Sequence, residues 1–547
     1  MSTYNICMRF AILLAYISHV TGDVFTALCK MERLAKLEMK MKVALEEYVL
    51  DLRNQMEFVP PELERFLTEV RFQAMKSNKV HFVENPINAF HVMYRMYNRW
   101  SRISNLILCD DCLQNQAARN YADTMSRIGL DTHLNVTEND VIGTAMALIR
   151  LWYVYNLDTE LLIRGQIMDT FTDPLTSADV LYITDIADEQ NQHCAAIRWL
   201  EALLKTIQST ERNEDSIKEV QVVRRLASAY DKYGMPWKSL EILELHNEFD
   251  SSDEKVKENI MYFRGKLEKI PMYDRIKKLT CDESETKEHY YRLCRGQVAR
   301  PIQTLSELKC VYKKSIVPYY RVKEEIMNWK PRLSILYDVI FDAEANVLKE
   351  FAMSNLQRSG VILTENSQGF SEIRISETAW ISDATIPIAK KLSKRVEFIT
   401  GLSTQQYPVV SHAEFFQIVN YGSGGMYEEH LDPFGYLMSY GRAFRPADPP
   451  DLQGSGDRIA TWLYYLSDVR AGGATVFTNL NVTIPVVKGA AAFWYSVDRD
   501  GDLEQETMHA GCPVLLGSKW ISNKWIRETG QMFRRLCGKT PKAPDDV

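Results

Sequence analysis

The sequence predicts an α+β protein of several domains, because helical and strand patterns occupy separate parts of the chain. Apolar residues recur at helical spacing through the first half, and short apolar runs separated by turn residues fill the second half. With 547 residues, the chain is also too long for one hydrophobic core. We therefore expect two helical regions followed by a β-rich domain.

The first residues are typical of an export signal. Arg9 precedes the apolar run FAILLAYI, and Gly22 offers a small side chain for cleavage, so residues 1–22 are predicted to be removed. A buried N-terminal helix is the alternative. The run is too short to span a bilayer and no comparable run recurs, so we expect no membrane span. The net charge of −7 gives no support for nucleic-acid binding.

Residues 23–138 have the pattern of an amphipathic helix followed by further helices. An apolar seam repeats every seven residues, with a second set at the intervening core position: Leu34, Met41 and Tyr48, with Leu45 and Leu52. Glu38 interrupts this seam. The seam fits both a coiled coil between two chains and a helix packed on its own domain.

Residues 139–268 have the pattern of helical hairpins. The stretches VIGTAMALIRLWYVYNLDT and LASAYDKYGMPWKSLEIL place small residues, aromatics and a glycine turn where the helices of a tetratricopeptide-like repeat cross. Tyr230 and Tyr233 lie in the second stretch, and they suit either a peptide groove or the repeat core. Residues 269–328 are more charged and less periodic, which indicates a connecting region.

The region from 329 to 537 has the pattern of a β-sandwich or jelly roll. Its strand-length runs are bounded by Gly, Asp or Ser: FFQIVNYGSGG, RIATWLYYLSD, GGATVF, GAAAFWY and CPVLLGSKWISNKW. Residues at i and i+2 of a strand project to the same side. His430 and Asp432 in YEEHLD can therefore bind one metal, and the later His509 can complete the set.

Two imidazoles and one carboxylate leave three positions open on an octahedral Fe(II), enough for a bidentate 2-oxo acid and dioxygen. Lys519 follows His509 by 10 residues and can pair with the far carboxylate of 2-oxoglutarate. An H-x-D pair alone is a weak signal. Together with His509 and Lys519, it predicts an Fe(II)/2-oxoglutarate dioxygenase site.

Several long stretches resemble the collagen prolyl 4-hydroxylase alpha subunit family: QIVNYGSGGMYEEHLD, RIATWLYYLSDVRAGGATVF, HAGCPVLLGSKWISNKW and, nearer the N-terminus, ENPINAFHVMYRMYNRW. The resemblance implies dimerisation through residues 23–138, peptide binding at residues 139–268, and a double-stranded β-helix (jelly-roll) catalytic domain at residues 329–537. It also implies procollagen-proline 4-dioxygenase activity. That activity uses Fe(II), 2-oxoglutarate, O2 and L-ascorbate, and it gives 4-hydroxyproline, succinate and CO2.

The resemblance assigns roles to matching positions. It makes His430, Asp432 and His509 the iron ligands, and Lys519 the partner of the co-substrate carboxylate. It places four further residues at the pocket, three beside the co-substrate and one facing the substrate proline: Tyr421, Thr461 and Trp525, then Tyr427. Ordinary core packing is the alternative for these four residues.

Two departures from the family pattern stand out. Where the family commonly has a histidine within NKWLHERG, this chain has NKWIRETG and places Arg527. The replacement either weakens 2-oxoglutarate turnover or is tolerated, because arginine also brings a cation. In the helical hairpin that precedes Tyr230 and Tyr233, Gln192 and His193 stand where the family tends to have groove tyrosines. This predicts an altered peptide preference.

Cysteine usage fits an oxidising compartment. Removal of the leader takes Cys7 from a total of 10 cysteines, so at least one of the rest is unpaired or shared between chains. A local bridge or free thiols are expected at Cys109 and Cys112, because no second pair completes a zinc site. The resemblance implies two further bridges: Cys294 with Cys310, and Cys512 with Cys537.

Compartment and partners are predicted together. Asn135-Val-Thr and Asn481-Val-Thr are potential glycosylation acceptors. The polar tail at 538–547, expected to be flexible, ends without a retention tetrapeptide, so a lumenal enzyme needs a retained partner or is secreted. The resemblance implies protein disulfide isomerase as the beta subunit, two alpha chains with two beta chains, in the endoplasmic reticulum lumen.

Three functions stay open. The first is prolyl 4-hydroxylation of X-Pro-Gly sequences in collagen-like chains. The second is the same chemistry on another secreted proline-rich protein. The third is a proline-rich-peptide-binding subunit whose catalysis is impaired at Arg527.

Overall fold

The computed structural model describes residues 24–77, 81–109, 111–132, 136–209, 219–249, 251–271, 275, 277–281, 285–364, 367–369, 373–407, 410–434 and 454–538. The predicted export signal, the acceptor Asn135 and residues 539–547 of the tail lie outside this range. The chain divides into two compact units, Met1–Asp140 with Arg292–Val547, and Val141–Tyr291. The domain boundaries inferred from the sequence stay predictions.

The first unit begins with helices that we number from the N-terminus: α1 Leu28–Asn54, α2 Pro61–Ser77, α3 Pro86–Tyr94, α4 Trp100–Ile107 and α5 Gln116–Thr132. A π-helical turn and three 3-10 turns accompany them: Arg95–Arg99, then Val24–Thr26, Phe82–Glu84 and Cys112–Gln114. Helix α1 packs on α2 and α5.

The apolar seam of α1 is buried inside the single chain. Leu34 and Leu45 are fully buried, and the ring of Tyr48 packs on Tyr121 of α5 with centroids 5.6 Å apart. Of the two interpretations of this seam, the helix packed on its own domain is the one that the structure shows. Dimerisation stays a prediction, and it would use another surface.

The second unit is mainly helical. Its elements, including the two helices at its boundaries, are α6 Glu138–Tyr155, α7 Thr159–Ile163, the short strands β1 Gln166–Ile167 and β2 Thr170–Phe171, α8 Ser177–Glu189, α9 His193–Ser209, α10 Glu219–Tyr233, α11 Pro236–Phe249, α12 Glu254–Leu267 and α13 Glu285–Cys294. Thr176 and Asp179 form a capping box at the start of α8. From α8 to α12 each helix packs on the next, as in stacked helical hairpins.

The first unit continues as a β-rich domain with three helices in its described part: α14 Ile302–Glu307, α15 Asp342–Met353 and α16 Pro387–Thr400. Its strands are β3 Cys310–Lys314, β4 Arg321–Trp329, β5 Arg332–Tyr337, β6 Gln357–Arg358, β7 Val361–Thr364, β8 Ser367–Gly369, β9 Glu377–Ile381, β10 Phe416–Tyr421, β11 Tyr427–His430, β12 Arg458–Tyr465, β13 Ala471–Gly472, β14 Thr475–Phe477, β15 Val482–Ile484, β16 Ala491–Tyr495, β17 His509–Gly511, β18 Val514–Leu516 and β19 Lys519–Arg527. A 3-10 turn spans Gln505–Thr507.

Two larger antiparallel sheets build this domain, and the two-stranded pairs β7-β8 and β13-β18 accompany them. The larger has the order β3-β4-β5-β16-β12-β19-β10-β9-β6, and the smaller has the order β11-β17-β14-β15. Alternate side chains of β12 take opposite faces, as strand geometry requires. Trp462 joins the core shared with α15 and α16, and Leu463 joins the core shared with Phe477 of the smaller sheet. The helical N-terminal region and the two-sheet domain confirm the predicted fold class.

Three disulfides form among the described residues: Cys109–Cys112, Cys194–Cys281 and Cys294–Cys512. The Cys109–Cys112 bridge is one of the two alternatives expected from the sequence, a local bridge or free thiols. The predicted pairings of Cys294 with Cys310 and of Cys512 with Cys537 are wrong.

The position of α13 explains the Cys294–Cys512 pairing. Thr483 of β15 donates a hydrogen bond to the carbonyl of Leu293 at 3.1 Å, so α13 ends beside the smaller sheet. There the Cα atom of Cys294 lies 5.6 Å from that of Cys512, which follows β17. Cys310 and Cys537 are exposed thiols.

Within the described ranges, no helix is both long enough and apolar enough to cross a bilayer.

A buried ion pair interrupts the seam of α1. Glu38 is 3% exposed and accepts hydrogen bonds from Nε and Nη2 of Arg95 at 2.9 and 2.8 Å, and from Trp100 Nε1 at 3.2 Å. A charged residue can occupy this apolar position because its carboxylate is paired.

We expect Glu38→Ala to lower the free energy of unfolding by about 3–5 kcal/mol, because the buried guanidinium of Arg95 loses its bidentate carboxylate partner. Glu46→Ala, on the same helix, removes the more exposed pair with Arg71 and should cost only about 0–1 kcal/mol. Chemical denaturation of the full-length chain measures both values. Equal losses would contradict the interpretation.

Candidate metal centre

The residues His430, Asp432 and His509 converge at the smaller sheet. Strands β11 and β17 are antiparallel neighbours, and their register sets His430 directly opposite His509. Asp432 follows two residues after His430. One candidate ligand atom from each of the three residues lies within 4.8 Å of the other two, and all three side chains are at least largely buried.

Backbone carbonyls fix the orientation of both imidazoles. Nδ1 of His430 lies 2.8 Å from the carbonyl oxygen of Glu428, and Nδ1 of His509 lies 3.0 Å from that of Thr507. A carbonyl can only accept, so each Nδ1 carries a proton, and the neutral form of each imidazole has its lone pair on Nε2. The Nε2 atoms lie 4.0 and 3.7 Å from the carboxylate of Asp432. This arrangement is typical of metal-binding histidines.

Electrostatics favour the protonation states that a metal requires. Burial, with a further contribution from His509, lowers the pKa of His430 to about 3, so this imidazole is neutral. Burial alone would raise the pKa of Asp432, but His509, His430 and Arg458 outweigh it and hold that pKa below its usual value. His430 therefore presents a neutral nitrogen ligand, and Asp432 presents an ionised carboxylate.

Thr461 orients the carboxylate. Its hydroxyl donates to Oδ2 of Asp432 at 2.6 Å, from strand β12 of the opposite sheet. The resemblance placed Thr461 beside the co-substrate, whereas its contact in the structure is with the proposed iron ligand. This hydrogen bond holds one carboxylate oxygen in a fixed direction.

Lys519 supplies an unpaired cation. It begins β19, opposite Tyr421 of β10, and its Nζ lies 5.3 Å from the centroid of the Tyr421 ring. A Cβ added to Gly511 of β17 would lie 3.8 Å from the same Nζ, so the ammonium lies beside the strand that carries His509. Lys519 is 2% exposed, and no carboxylate of the described residues pairs with it. Burial lowers its pKa to about 7.

An orphaned buried cation next to a histidine–carboxylate cluster fits an anionic co-substrate that also binds the metal. A 2-oxo acid with a distal carboxylate meets both requirements. The residues therefore fit Fe(II) and 2-oxoglutarate.

Two aromatic side chains support the ligands and their neighbours. The ring of Tyr427 stacks on the imidazole of His430 with centroids 3.7 Å apart. Trp525 lies under the guanidinium of Arg458, 3.7 Å from the ring centroid. The resemblance assigns Tyr427 to the substrate and Trp525 to the co-substrate. In the structure, Tyr427 packs against His430 and Trp525 packs against Arg458.

Tyr230 and Tyr233 belong to the second compact unit. The hydroxyl of Tyr230 donates to a carboxylate oxygen of Glu201, and burial together with this contact raises its pKa. The hydroxyl of Tyr233 donates to the carbonyl of Thr280 at 2.9 Å, and the Lys277 ammonium lies 4.1 Å from its ring centroid. The metal centre belongs to the first compact unit, and a role of these tyrosines in peptide binding stays a prediction.

Sequence reasoning missed a buried charge cluster behind Asp432. Glu414 accepts Nε and Nη2 of Arg458 at 2.6 and 2.8 Å, and Nη1 of Arg527 at 3.0 Å. Nη1 of Arg458 reaches the backbone carbonyl of Asp432 at 3.4 Å, and both guanidiniums lie within 5.1 Å of the centroid of the Phe434 ring. Through Arg458, the cluster therefore binds the backbone at Asp432. Only the departure at Arg527 signalled it, because the pairing depends on tertiary contacts.

A second missed residue is Arg374. It is 7% exposed, donates to Gln417 Oε1 at 3.1 Å, and lies 4.7 Å from the centroid of the Tyr427 ring. Its position just before β9, in a stretch without a metal-ligand pattern, gave no signal in the sequence.

Comparisons with known proteins agree with this geometry. Residues 416–527 match the family model described as the 2OG-Fe(II) oxygenase superfamily, and residues 27–169 match the N-terminal region of the prolyl 4-hydroxylase alpha subunit. The site and the matching domain define an Fe(II)/2-oxoglutarate-dependent dioxygenase, a class that uses Fe(II), 2-oxoglutarate and O2.

Full-length relatives give the family. Prolyl 4-hydroxylase subunit alpha-1 of Rattus norvegicus is 31% identical over 94% of this chain and 95% of its own length, and the Homo sapiens protein matches at the same values. Subunit alpha-3 of Bos taurus is 30% identical over 95% of both chains. This chain belongs to the prolyl 4-hydroxylase alpha subunit family.

A solved viral collagen prolyl hydroxylase from Paramecium Bursaria Chlorella virus-1, in complex with 2OG, is 26% identical. It covers 36% of this chain and 95% of its own, with a TM-score of 0.26, and the family membership does not rest on it.

We expect Thr461→Val to weaken metal binding by about 10- to 100-fold, because Asp432 loses the donor that orients it. Thr461→Ser keeps the hydroxyl and should stay close to the parent protein. Anaerobic titration with Mn(II) measures the dissociation constants. Equal affinity in the valine and serine variants would show that the hydroxyl does not orient the ligand.

We expect 2-oxoglutarate binding at pH 8 to take up a fraction of one proton per site, because the carboxylate needs the ammonium form of Lys519 and its pKa is about 7. Affinity should therefore fall as the pH rises above 7. Calorimetry with Zn(II)-loaded protein, in buffers of different ionisation enthalpy, measures the uptake. Lys519→Arg keeps its charge and should take up no proton. Parent protein that behaves like this variant would contradict the lowered pKa.

Proposed function

We propose that this chain is the catalytic alpha subunit of a procollagen-proline 4-dioxygenase, which hydroxylates proline in X-Pro-Gly sequences of collagen-like chains. One observation carries the proposal: two oriented imidazoles and an ionised carboxylate converge on one point, and the buried amine of Lys519 lies beside the strand that carries His509. The family membership supports the same activity, since the relatives that match over nearly their whole length are named prolyl 4-hydroxylase alpha subunits.

Each protein group has a defined task. Bound iron supplies the oxidising chemistry, in which decarboxylation of 2-oxoglutarate to succinate and CO2 accompanies hydroxylation of proline. His430, Asp432 and His509 would hold the metal, and a set of three protein ligands would leave room for the co-substrate and O2. Lys519 binds the distal carboxylate, and Tyr421 packs beside it. The apolar core between the two sheets excludes water from the site.

The assembly is part of the proposal. Residues 23–138 would mediate pairing of alpha subunits, and residues 139–268 would bind proline-rich peptide, since tyrosine faces stack on a polyproline II chain. Protein disulfide isomerase would be the beta subunit, in the endoplasmic reticulum lumen. The disulfides support an oxidising compartment. L-Ascorbate would keep the iron reduced.

Specific contacts favour a second candidate, hydroxylation of another secreted proline-rich protein. The hydroxyls of Tyr230 and Tyr233 are already bonded to Glu201 and Thr280, so they are less available to a peptide. This favours an altered peptide preference with the chemistry retained.

The direct test co-expresses the chain with protein disulfide isomerase and supplies Fe(II), ascorbate, 2-oxoglutarate and (Pro-Pro-Gly) repeats. We expect succinate and a gain of one oxygen per modified proline. His430→Ala should abolish both products, and Glu429→Gln, an exposed neighbour on the same strand, should retain them. Turnover on other secreted proline-rich peptides alone would favour the second candidate.

Arg527→His tests the remaining alternative, a peptide-binding subunit with impaired catalysis. Arg458 keeps its two contacts with Glu414 in this variant, so we expect unchanged Mn(II) affinity. If the parent protein binds peptide without forming succinate and Arg527→His forms it, the impaired-subunit alternative is correct. Succinate formation by the parent protein excludes it.

A further inference from the structure

The residues Val24–Lys30, which we call the N-terminal segment, lie against the larger sheet of the β-rich domain and belong to the same compact unit. The carbonyl oxygen of Thr26 accepts the amide of Gly422 at 3.1 Å, and the amide of Leu28 donates to Oδ1 of Asn420 at 3.0 Å. These contacts join residues almost 400 positions apart in sequence. They place the segment on β10 and on the turn that follows it.

The contact at Gly422 is too close for any other residue. A Cβ added there would lie 2.9 Å from the carbonyl oxygen of Phe25 and 3.2 Å from the carbonyl carbon of Thr26. Ala27, next in the segment, is fully buried in the core on the helix side of the sheet. The N-terminal segment is therefore packed as part of this domain.

A buried ion pair fixes the other side of the segment. Glu377 of β9 is fully buried, and its Oε1 accepts Nζ of Lys30 at 2.5 Å and the hydroxyl of Thr26 at 3.2 Å. Removing the N-terminal segment would leave this carboxylate without either partner, which is costly for a buried charge.

Asn420 connects the segment to the co-substrate residues. Helix α1 begins at Leu28. The amides of the first turn of a helix have no acceptor within the helix. For the amide of Leu28, the acceptor is the side-chain oxygen of Asn420 in β10. The Nδ2 atom of Asn420 then donates to Oγ of Ser518 at 3.1 Å and to the carbonyl of Lys519 at 3.4 Å. Asn420 itself is fully buried and directly precedes Tyr421.

A second contact reaches the same turn. The amide of Gly517 donates to the carbonyl of Glu84 at 3.3 Å, so the N-terminal region contacts the residue before Ser518 directly. It reaches Ser518 and Lys519 through Asn420.

We propose that the N-terminal segment is a positioning element of the co-substrate pocket, which it holds in place through Asn420. It lies on the back of the sheet, whereas Lys519 and Tyr421 face the metal side, so it acts through these residues and does not touch the ligand. The proposal rests on the function proposed above for Lys519. By linkage, 2-oxoglutarate binding and the order of the segment stabilise each other.

Leu28→Pro removes the one amide that Asn420 accepts. Proline is tolerated at the first residue of a helix, and the preceding Ala27 already has the extended backbone that proline requires. Leu28→Ala is the matched control, because it also loses the buried side chain but keeps the amide. We expect Leu28→Pro to bind 2-oxoglutarate about five- to tenfold more weakly than Leu28→Ala in Zn(II)-loaded, full-length protein.

A general loss of stability would not produce the same pattern. We expect the KM for 2-oxoglutarate to rise in Leu28→Pro, while the KM for peptide and the Mn(II) affinity match those of Leu28→Ala. Equal 2-oxoglutarate affinity in the two variants would overturn the proposal.

Hydrogen exchange tests the linkage in the parent protein, so the proposal does not depend on a variant that folds. Adding 2-oxoglutarate should slow exchange at the amides of Leu28 and Gly422, and unchanged exchange at both would overturn the proposal. If the parent protein binds no 2-oxoglutarate, the proposed function of Lys519 fails separately. In that case, hydrogen exchange is compared between the two variants without ligand. Faster exchange around residues 518–520 in Leu28→Pro than in Leu28→Ala supports the proposed positioning role of the N-terminal segment, and equal exchange overturns the proposal.

Discussion

The antiparallel pairing of β11 with β17 is the constraint on which the site depends. It sets His430 across from His509, and the chain needs only two further residues to bring Asp432 to the same side. The two backbone carbonyls that accept the Nδ1 protons belong to residues two positions before each histidine, so the same short segments supply both a ligand and its orientation. A change of this register by one residue would turn the two imidazoles to opposite faces of the sheet.

The formal charges of the metal, its carboxylate ligand and the co-substrate account for the presence of a buried lysine at the site. The site contains one carboxylate, Asp432, and one buried amine, Lys519, at a distance from any carboxylate of the described residues. A divalent metal and the ammonium together bring three positive charges. Asp432 and the two carboxylates of 2-oxoglutarate bring three negative ones. Within this group of metal, Asp432, Lys519 and co-substrate the formal charges cancel, whereas in the unloaded site burial lowers the pKa of Lys519 to about 7.

The sequence was sufficient where chemistry is local or periodic. Spacing placed His430, Asp432, His509 and Lys519 together as a hypothesis, and short apolar runs bounded by turn residues predicted the sheets. It was insufficient where partners meet through the fold. The contacts of Thr461 with Asp432 and of Glu414 with two arginines join different strands, and no local pattern encodes them. The seam of α1 was ambiguous because a heptad pattern does not say whether the covering helices come from the same chain.

The Cys294–Cys512 bridge links parts of the chain that are 218 residues apart, and it follows the strand that carries His509 by one residue. During synthesis the first thiol leaves the ribosome long before the second, and nearly all strands of the β-rich domain are made in between. The cross-link that fastens this strand must therefore close at a late stage of folding, after long-range pairing has brought its two ends together. Oxidation of Cys294 and Cys512 would then accompany the final placement of the strand that carries His509.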